Sequence, residues 1–223
     1  MDATYTKLAE RAQTLLSQSN DGGELTGQLW IGISGGPGSG KTTLSGSVSN
    51  LLNAASVKTQ VVPMDGYHYY RRQLDQMENA EEAHKFRGAQ FTFNAEKFVN
   101  DIALAKEKRT FSFPSFNHEE GDPVENSILV EDDTRIVLVE GLYLLLNEKP
   151  WSSLTDIFDD TWFIMCPEKE AVNRLVKRHM AAWNWDAKRA TARIMESDIL
   201  NLRLVNSSRS DRANLEIESF HDS

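Results

Sequence analysis

At 223 residues the chain is long enough for one well-cored domain. Its make-up, 40% hydrophobic and 26% charged, is that of an ordinary soluble globular protein, and a net charge of −9 argues against a general nucleic-acid partner. The one cysteine, Cys166, excludes an internal disulfide; no apolar run reaches membrane-spanning length and the start lacks a signal-peptide pattern, so a cytoplasmic protein with no membrane partner is expected.

In chain order, Leu8, Ala12, Leu15 and Leu16 have helical spacing over residues 4–16, and a polar, glycine-containing loop follows. Residues 28–34, "QLWIGIS", form a short apolar run that reads as a buried strand entering a glycine turn. A helix is predicted from Thr42, with Leu44, Val48, Leu51 and Leu52 inward, then a second strand, "TQVVPM", that ends at Asp65. Residues 70–86 are charged and read as helical, and Asn94 is placed to cap the helix over 95–108. The proline-containing stretch 111–127 reads as a loop or short hairpin. Ile136 to Val139 is the clearest central strand and ends in Glu140-Gly141. Another strand covers 159–166, and amphipathic helices are predicted over 168–183 and 186–200. "LRLVNSS" (202–208) and "NLEIESF" (214–220) read as late short strands. Alternating strands and helices with no internal repeat predict one α/β domain over residues 1–223, a parallel sheet wrapped by helices.

Gly35, Gly36, Pro37, Gly38, Ser39, Gly40, Lys41 and Thr42 fit G-x-x-x-x-G-K-[ST] between a predicted strand and a predicted helix. Backbone N–H groups of such a turn cradle phosphates, and the helix dipole adds to the attraction. Lys41 is expected to bind the outer phosphates and Thr42 to ligate Mg²⁺, with Thr43 near the inner phosphate, so ATP and Mg²⁺ are the implied cofactors. A magnesium site needs a carboxylate, and Glu140 ends an apolar strand at the edge where open α/β sheets bind ligands. Asp65 ends a second strand at the same edge, where it could take the proton of an attacking hydroxyl. Gly66 gives the chain freedom there, and Tyr67 and His68 could line an acceptor pocket.

The strings "GGPGSGKTTL", "MDGYHYYRRQLD", "HKFRGAQFTFN", "FPSFNHEEGDPVENSI", "RIVLVEGLYLLL" and "NRLVKRHMAAW" occur in this order. Together they resemble the phosphoribulokinase/uridine kinase group of P-loop kinases, in its pantothenate-kinase-like and fructose-transport-kinase-like branch, over about residues 28–220. The resemblance implies a P-loop NTPase core, three-layer α/β/α and adenylate-kinase-like, with a small lid over about 169–190. It implies transfer of the γ-phosphate of ATP to a small-molecule hydroxyl, with Asp65 as base and Glu140 organising Mg²⁺. It also implies that Arg87 lies near the acceptor and that the loop bearing His118 and Asp122 borders it.

Arg174 and Arg178 lie at i and i+4, on one helix face. In similar kinases lid arginines counter the charge of the transferring group; pairing with Glu170 or Glu168 on the helix surface is the other reading. Relatives often have glycine where Asn184 or Trp185 stands, which leaves the lid hinge open. The leading function is therefore a kinase acting on a nucleoside, sugar or pantothenate-like hydroxyl. An ATPase or nucleotide-regulated switch acting on a macromolecule is the rival, with a nucleotide kinase kept in view by Arg71, Arg72 and Arg87. The acceptor's identity and a homodimer are both left open.

Overall fold

The computed structural model describes residues 2–18, 27–117, 119–208 and 212–219. Helix α1 spans Asp2–Gln18 and precedes strand β1, Leu29–Gly35. Then come α2 (Lys41–Ala54), β2 (Thr59–Pro63), the short α3 (Arg71–Leu74) and α4 (Ala80–Lys85), and α5 (Ala95–Lys108). A hairpin of β3 (Phe111–Asn117) and β4 (Asp122–Val130) leads into β5 (Ile136–Gly141), α6 (Leu154–Ile157) and β6 (Asp160–Met165). The chain closes with α7 (Glu168–Trp183), α8 (Ala187–Arg193), α9 (Ile199–Ser207) and β7 (Leu215–Glu218). Among the described residues no helix is long and apolar enough to cross a membrane.

Five strands form a sheet in the order β2-β5-β1-β6-β7, every neighbouring pair parallel. A parallel sheet needs cover on both faces, and the strands supply an apolar side chain to each. Trp30, Val137, Val139 and Phe163 face one core, which also contains Phe93, Phe98, Phe113, Tyr143 and Trp151. Leu29, Ile31, Ile33, Ile136, Leu138, Trp162 and Ile164 face the other, with α1 and α2 packed over them. The result is the expected three-layer α/β/α arrangement. The register sets Glu140 opposite both Ile33 and Pro63, so β1, β5 and β2 end nearly level. The phosphate turn, Glu140 and Asp65 are thereby brought to one edge.

Three elements differ from the sequence reading. Residues 202–208, read as a strand, are helical up to Ser207 as part of α9; Ile199, Leu202 and Val205 are buried at helical spacing, and this burial overrides the local alternation of Leu202 and Leu204. Residues 70–86 form two separate short helices rather than one. The helix over 186–200 continues into α9 through a π-helical stretch, Ile194–Asp198. Asn94 does cap α5, accepting from the Lys97 N–H at 3.1 Å.

Candidate active site

Helix α2 starts after Gly40, which has φ +95°, and among the described residues no side chain caps its first N–H groups. That left-handed φ is why a glycine stands there. A Cβ on Gly38 would also come within 2.6 Å of the Ala171 carbonyl of α7. The buried Ser39 hydroxyl has no partner among the described residues. Unfilled N–H groups at a helix start, beside an unsatisfied hydroxyl, suit a phosphate chain. Gly35 ends β1, Gly36 accepts from the Lys41 ammonium at 3.1 Å through its carbonyl, and Pro37 follows as part of the turn.

Thr42 and Glu140 meet directly, the Thr42 Oγ1 donating to Glu140 Oε1 at 3.0 Å. A hydroxyl and a carboxylate at that separation are an oxygen donor set suited to Mg²⁺. Burial pushes the Glu140 carboxyl up, against the pull of the Lys41 charge; Asp65 adds to the rise and the Thr42 hydrogen bond opposes it. Burial likewise pulls the Lys41 ammonium down, while Glu140 and Asp65 support its charge and Arg178 opposes it. Lys41, Glu140, Asp65 and Arg178 therefore share one electrostatic environment. A cation at Thr42 and Glu140 would relieve the cost of the buried carboxylate.

Asp65 lies two residues past the end of β2, in a 3₁₀ turn over Met64–Tyr67. Its neighbour Gly66 is packed against the hairpin so closely that a Cβ there would lie 2.1 Å from the Pro114 carbonyl oxygen. The Asp65 carbonyl accepts from His68 Nδ1 at 2.8 Å, and since a carbonyl only accepts, that nitrogen carries the proton. The His68 ring is stacked between Phe93 and Phe116, at 3.9 and 4.7 Å between centroids. Tyr67 is only 2% exposed, with its hydroxyl donating to Asp101 at 2.8 Å. It fills core, and its polar end points to α5. A recess of about 180 Å³ is lined by Gly66, Tyr67, His68, Tyr70, Asn94 and Glu125 among others.

Arg87 reaches the same side. Its Nη2 donates to the Tyr69 carbonyl at 2.8 Å and lies 3.4 Å from Asp122, while its Nε and Nη1 are buried with no partner among the described residues. Burial pulls its pKa down, against the support of Asp122. His118 lies outside the described residues.

Helix α7 closes the phosphate side. Arg174 and Arg178 line a recess of about 200 Å³ together with Gly38, Gly40, Lys41, Thr42, Thr43 and Leu175. Arg174 also pairs with Glu170 at 3.0 Å, the i, i+4 alternative, and its Nη1 touches the Gly38 carbonyl at 3.4 Å. At the end of α7, Asn184 takes φ +51°, the left-handed conformation in which asparagine is tolerated best after glycine. The helix end is thus preserved without glycine.

Some contributors carry no sequence signal. Tyr143, fully buried, donates to the Gly88 carbonyl at 2.6 Å and so fixes the segment that bears Arg87. Ser219, just past β7, donates to the Ser39 carbonyl of the phosphate turn at 2.8 Å. An aromatic near "FRGAQ" and a serine after a strand match no pattern that would single them out.

Comparison with known proteins agrees with this geometry. The model of the phosphoribulokinase/uridine kinase family matches residues 30–189. A Schizosaccharomyces pombe protein named as a candidate uridine kinase is 36% identical over 208 residues, covering 91% of this chain and 86% of that protein. The crystal structure of a candidate fructose transport system kinase from Silicibacter sp. has a TM-score of 0.83 at 29% identity, covering 94% of this chain and 98% of that one. That of YFH7 from Saccharomyces cerevisiae, a P-loop protein with a circular permutation, has a TM-score of 0.85 at 20% identity, covering 97% and 99%, a likeness of fold. With an uncapped phosphate turn, a paired Thr42 and Glu140 and a family match over most of its length, the chain belongs to the phosphoribulokinase/uridine kinase family of P-loop kinases.

Proposed function

We propose that the protein transfers the γ-phosphoryl group of ATP to a hydroxyl of a small-molecule acceptor of the nucleoside, sugar or pantothenate-like class. The observation that carries this reading is Asp65: it stands just past β2, at the edge shared with Thr42 and Glu140, and its charge reaches both Lys41 and Glu140. A hydrolase has no need of the aromatic-lined recess that begins at Gly66, the residue after this carboxylate. The names of the fission yeast and Silicibacter relatives, for a nucleoside and a sugar kinase, support the same acceptor class.

In this reading Asp65 accepts the proton of the acceptor hydroxyl as its oxygen forms a bond to the γ-phosphorus and the bond to the ADP oxygen breaks. Lys41 and Arg178 counter the charge on the transferring group. Thr42 and Glu140 would hold Mg²⁺, which when bound supplies charge compensation at the phosphates. Arg87 holds the Tyr69 backbone beside the recess from behind, and His68, braced by Phe93 and Phe116, keeps the Asp65 turn in place.

The test is an ATP-consumption screen over nucleosides, sugars, pantothenate and glycerate. One of them is expected to stimulate turnover, and Asp65→Asn to bind ATP normally while losing about 10²–10⁴-fold in transfer. Transfer at the wild-type rate in Asp65→Asn would refute the base. If no compound stimulates turnover, the ATPase or switch reading takes its place.

A further inference from the structure

We infer that Ser219, the residue that follows β7, is a positioning residue for phosphate binding: its hydroxyl locks the orientation of one peptide in the phosphate turn. The inference rests on the reading of that turn as the nucleotide phosphate site, and adds to it a residue from the far end of the chain.

Three hydrogen bonds meet at Ser219. Its N–H donates to the Met165 carbonyl at the end of β6 at 2.7 Å, which fixes the backbone. Its hydroxyl donates to the Ser39 carbonyl at 2.8 Å and accepts from Arg174 Nη1 at 2.7 Å. The hydroxyl has a single proton, and the two partners use it in complementary ways: a carbonyl can only accept and a guanidinium only donate. Arg174 thus takes a lone pair of the hydroxyl and the Ser39 carbonyl its proton, with the Cys166 sulfur as the other acceptor in reach.

The consequence lies in the peptide between Ser39 and Gly40. A trans peptide carries its C=O and N–H on opposite sides. With the Ser39 carbonyl held by Ser219, the Gly40 N–H is turned away from Ser219, and Gly40 itself lines the recess with Lys41, Thr42 and Arg178. Gly40 has φ +95°, in a region glycine leaves readily, so nothing in its own covalent structure prevents this peptide from turning over. A flipped peptide would present a carbonyl oxygen where a phosphate needs a donor. Ser219 supplies the constraint that glycine cannot.

The same contact distinguishes the two arginines of α7, both of which line the recess. Arg174 is held by Ser219, Glu170 and the Gly38 carbonyl, on the carbonyl side of the turn. It braces the turn. Arg178, one helical turn on, bears electrostatically on Lys41 and lines the recess over the phosphate turn.

The test compares wild type, Ser219→Ala, Ser219→Thr and Lys41→Ala by calorimetric titration with Mg·ATP, alongside thermal melts of the nucleotide-free proteins. Loss of the hydroxyl in Ser219→Ala is expected to weaken ATP binding about tenfold, the scale of one hydrogen bond in a charged setting, with the melting temperature of the free protein little changed. Ser219→Thr keeps the hydroxyl and is expected to stay within about threefold of wild type. Wild-type affinity in Ser219→Ala, alongside lost affinity in Lys41→Ala, overturns the assignment while leaving the phosphate site standing. Equal loss in the alanine and threonine variants, in step with a lowered melting temperature, also overturns it, since packing would then be the role. Unchanged binding in Lys41→Ala removes the phosphate reading itself, and the role of Ser219 with it.

Discussion

His179 is buried on α7, its ring 4.5 Å from that of Trp183 and edge-on to Trp185 at 6.3 Å. Burial pulls its pKa below 6.5; Asp198 opposes the change, and Arg178 and Arg193 add to it. Between the folded pKa and 6.5 the unfolded chain binds a proton that the native state does not, so stability rises with pH across that window. The contribution is complete above 6.5 and is lost as pH falls through the folded value. Urea unfolding at pH 7.5 and 5.5 is expected to show a lower midpoint at the acid pH, with the drop reduced in His179→Phe. An equal drop in both proteins would exclude His179 as the source. The phosphate residues were legible because their chemistry imposes a spacing: Gly35 to Thr42 could be read directly, and Glu140 and Asp65 followed from strand ends. Ser219 and Tyr143 were not, because each acts through one contact to a residue more than fifty positions away, Ser39 and Gly88 respectively. Tyr67 lines the recess as expected, but its hydroxyl turns inward to Asp101, a contact that no local pattern records.

At the scale of elements, the region expected to be a lid is one α-helix, a left-handed residue at Asn184, and a second helical run interrupted by π geometry at Ile194–Asp198. Helix α7 places Arg178 over the phosphate recess, so its charge is expected to act chiefly in the transition state. Arg178→Ala should lower kcat by about 10²-fold with a smaller change in ATP affinity. Steady-state kinetics on the identified acceptor measures both, and a loss confined to ATP affinity would contradict the assignment. Trp183 and Trp185 are 4.6 Å apart at the end of this helix, so closure on ATP and acceptor should also alter tryptophan fluorescence. The amphipathic pattern of α7 gave its bounds because one face is continuously buried. The stretch 202–208 misled because four residues, "LRLV", satisfy both a strand period and a helix period, and only the packing of Ile199, Leu202 and Val205 distinguishes them.

For the whole molecule, β1 is central and every other strand of the large sheet is placed relative to it, directly or through β5 and β6. Helix α1 is tied to this frame by a charge. Arg11 grips the buried Asp160 carboxylate with two hydrogen bonds, at 2.8 and 3.0 Å, and Trp162 Nε1 donates to the same group at 2.6 Å. Arg11→Ala leaves that carboxylate buried without its cation and should cost about 2 kcal/mol of stability. Denaturant unfolding measures it, and an unchanged midpoint would mean that α1 is held by Leu8, Ala12 and Leu16 alone. The layer architecture was readable from alternation of strand and helix. The strand order was not, because no local pattern records which strands become neighbours.

The contact between Gly66 and Pro114 has a mechanical consequence. With the hairpin's backbone resting on the residue next to Asp65, at a distance no larger side chain could occupy, the β3–β4 hairpin and the base form a single lever. A shift of β3 at Pro114 would be felt at once by the turn that carries Asp65. In the proposed reaction, an acceptor seated against this hairpin would bear directly on the turn that carries Asp65.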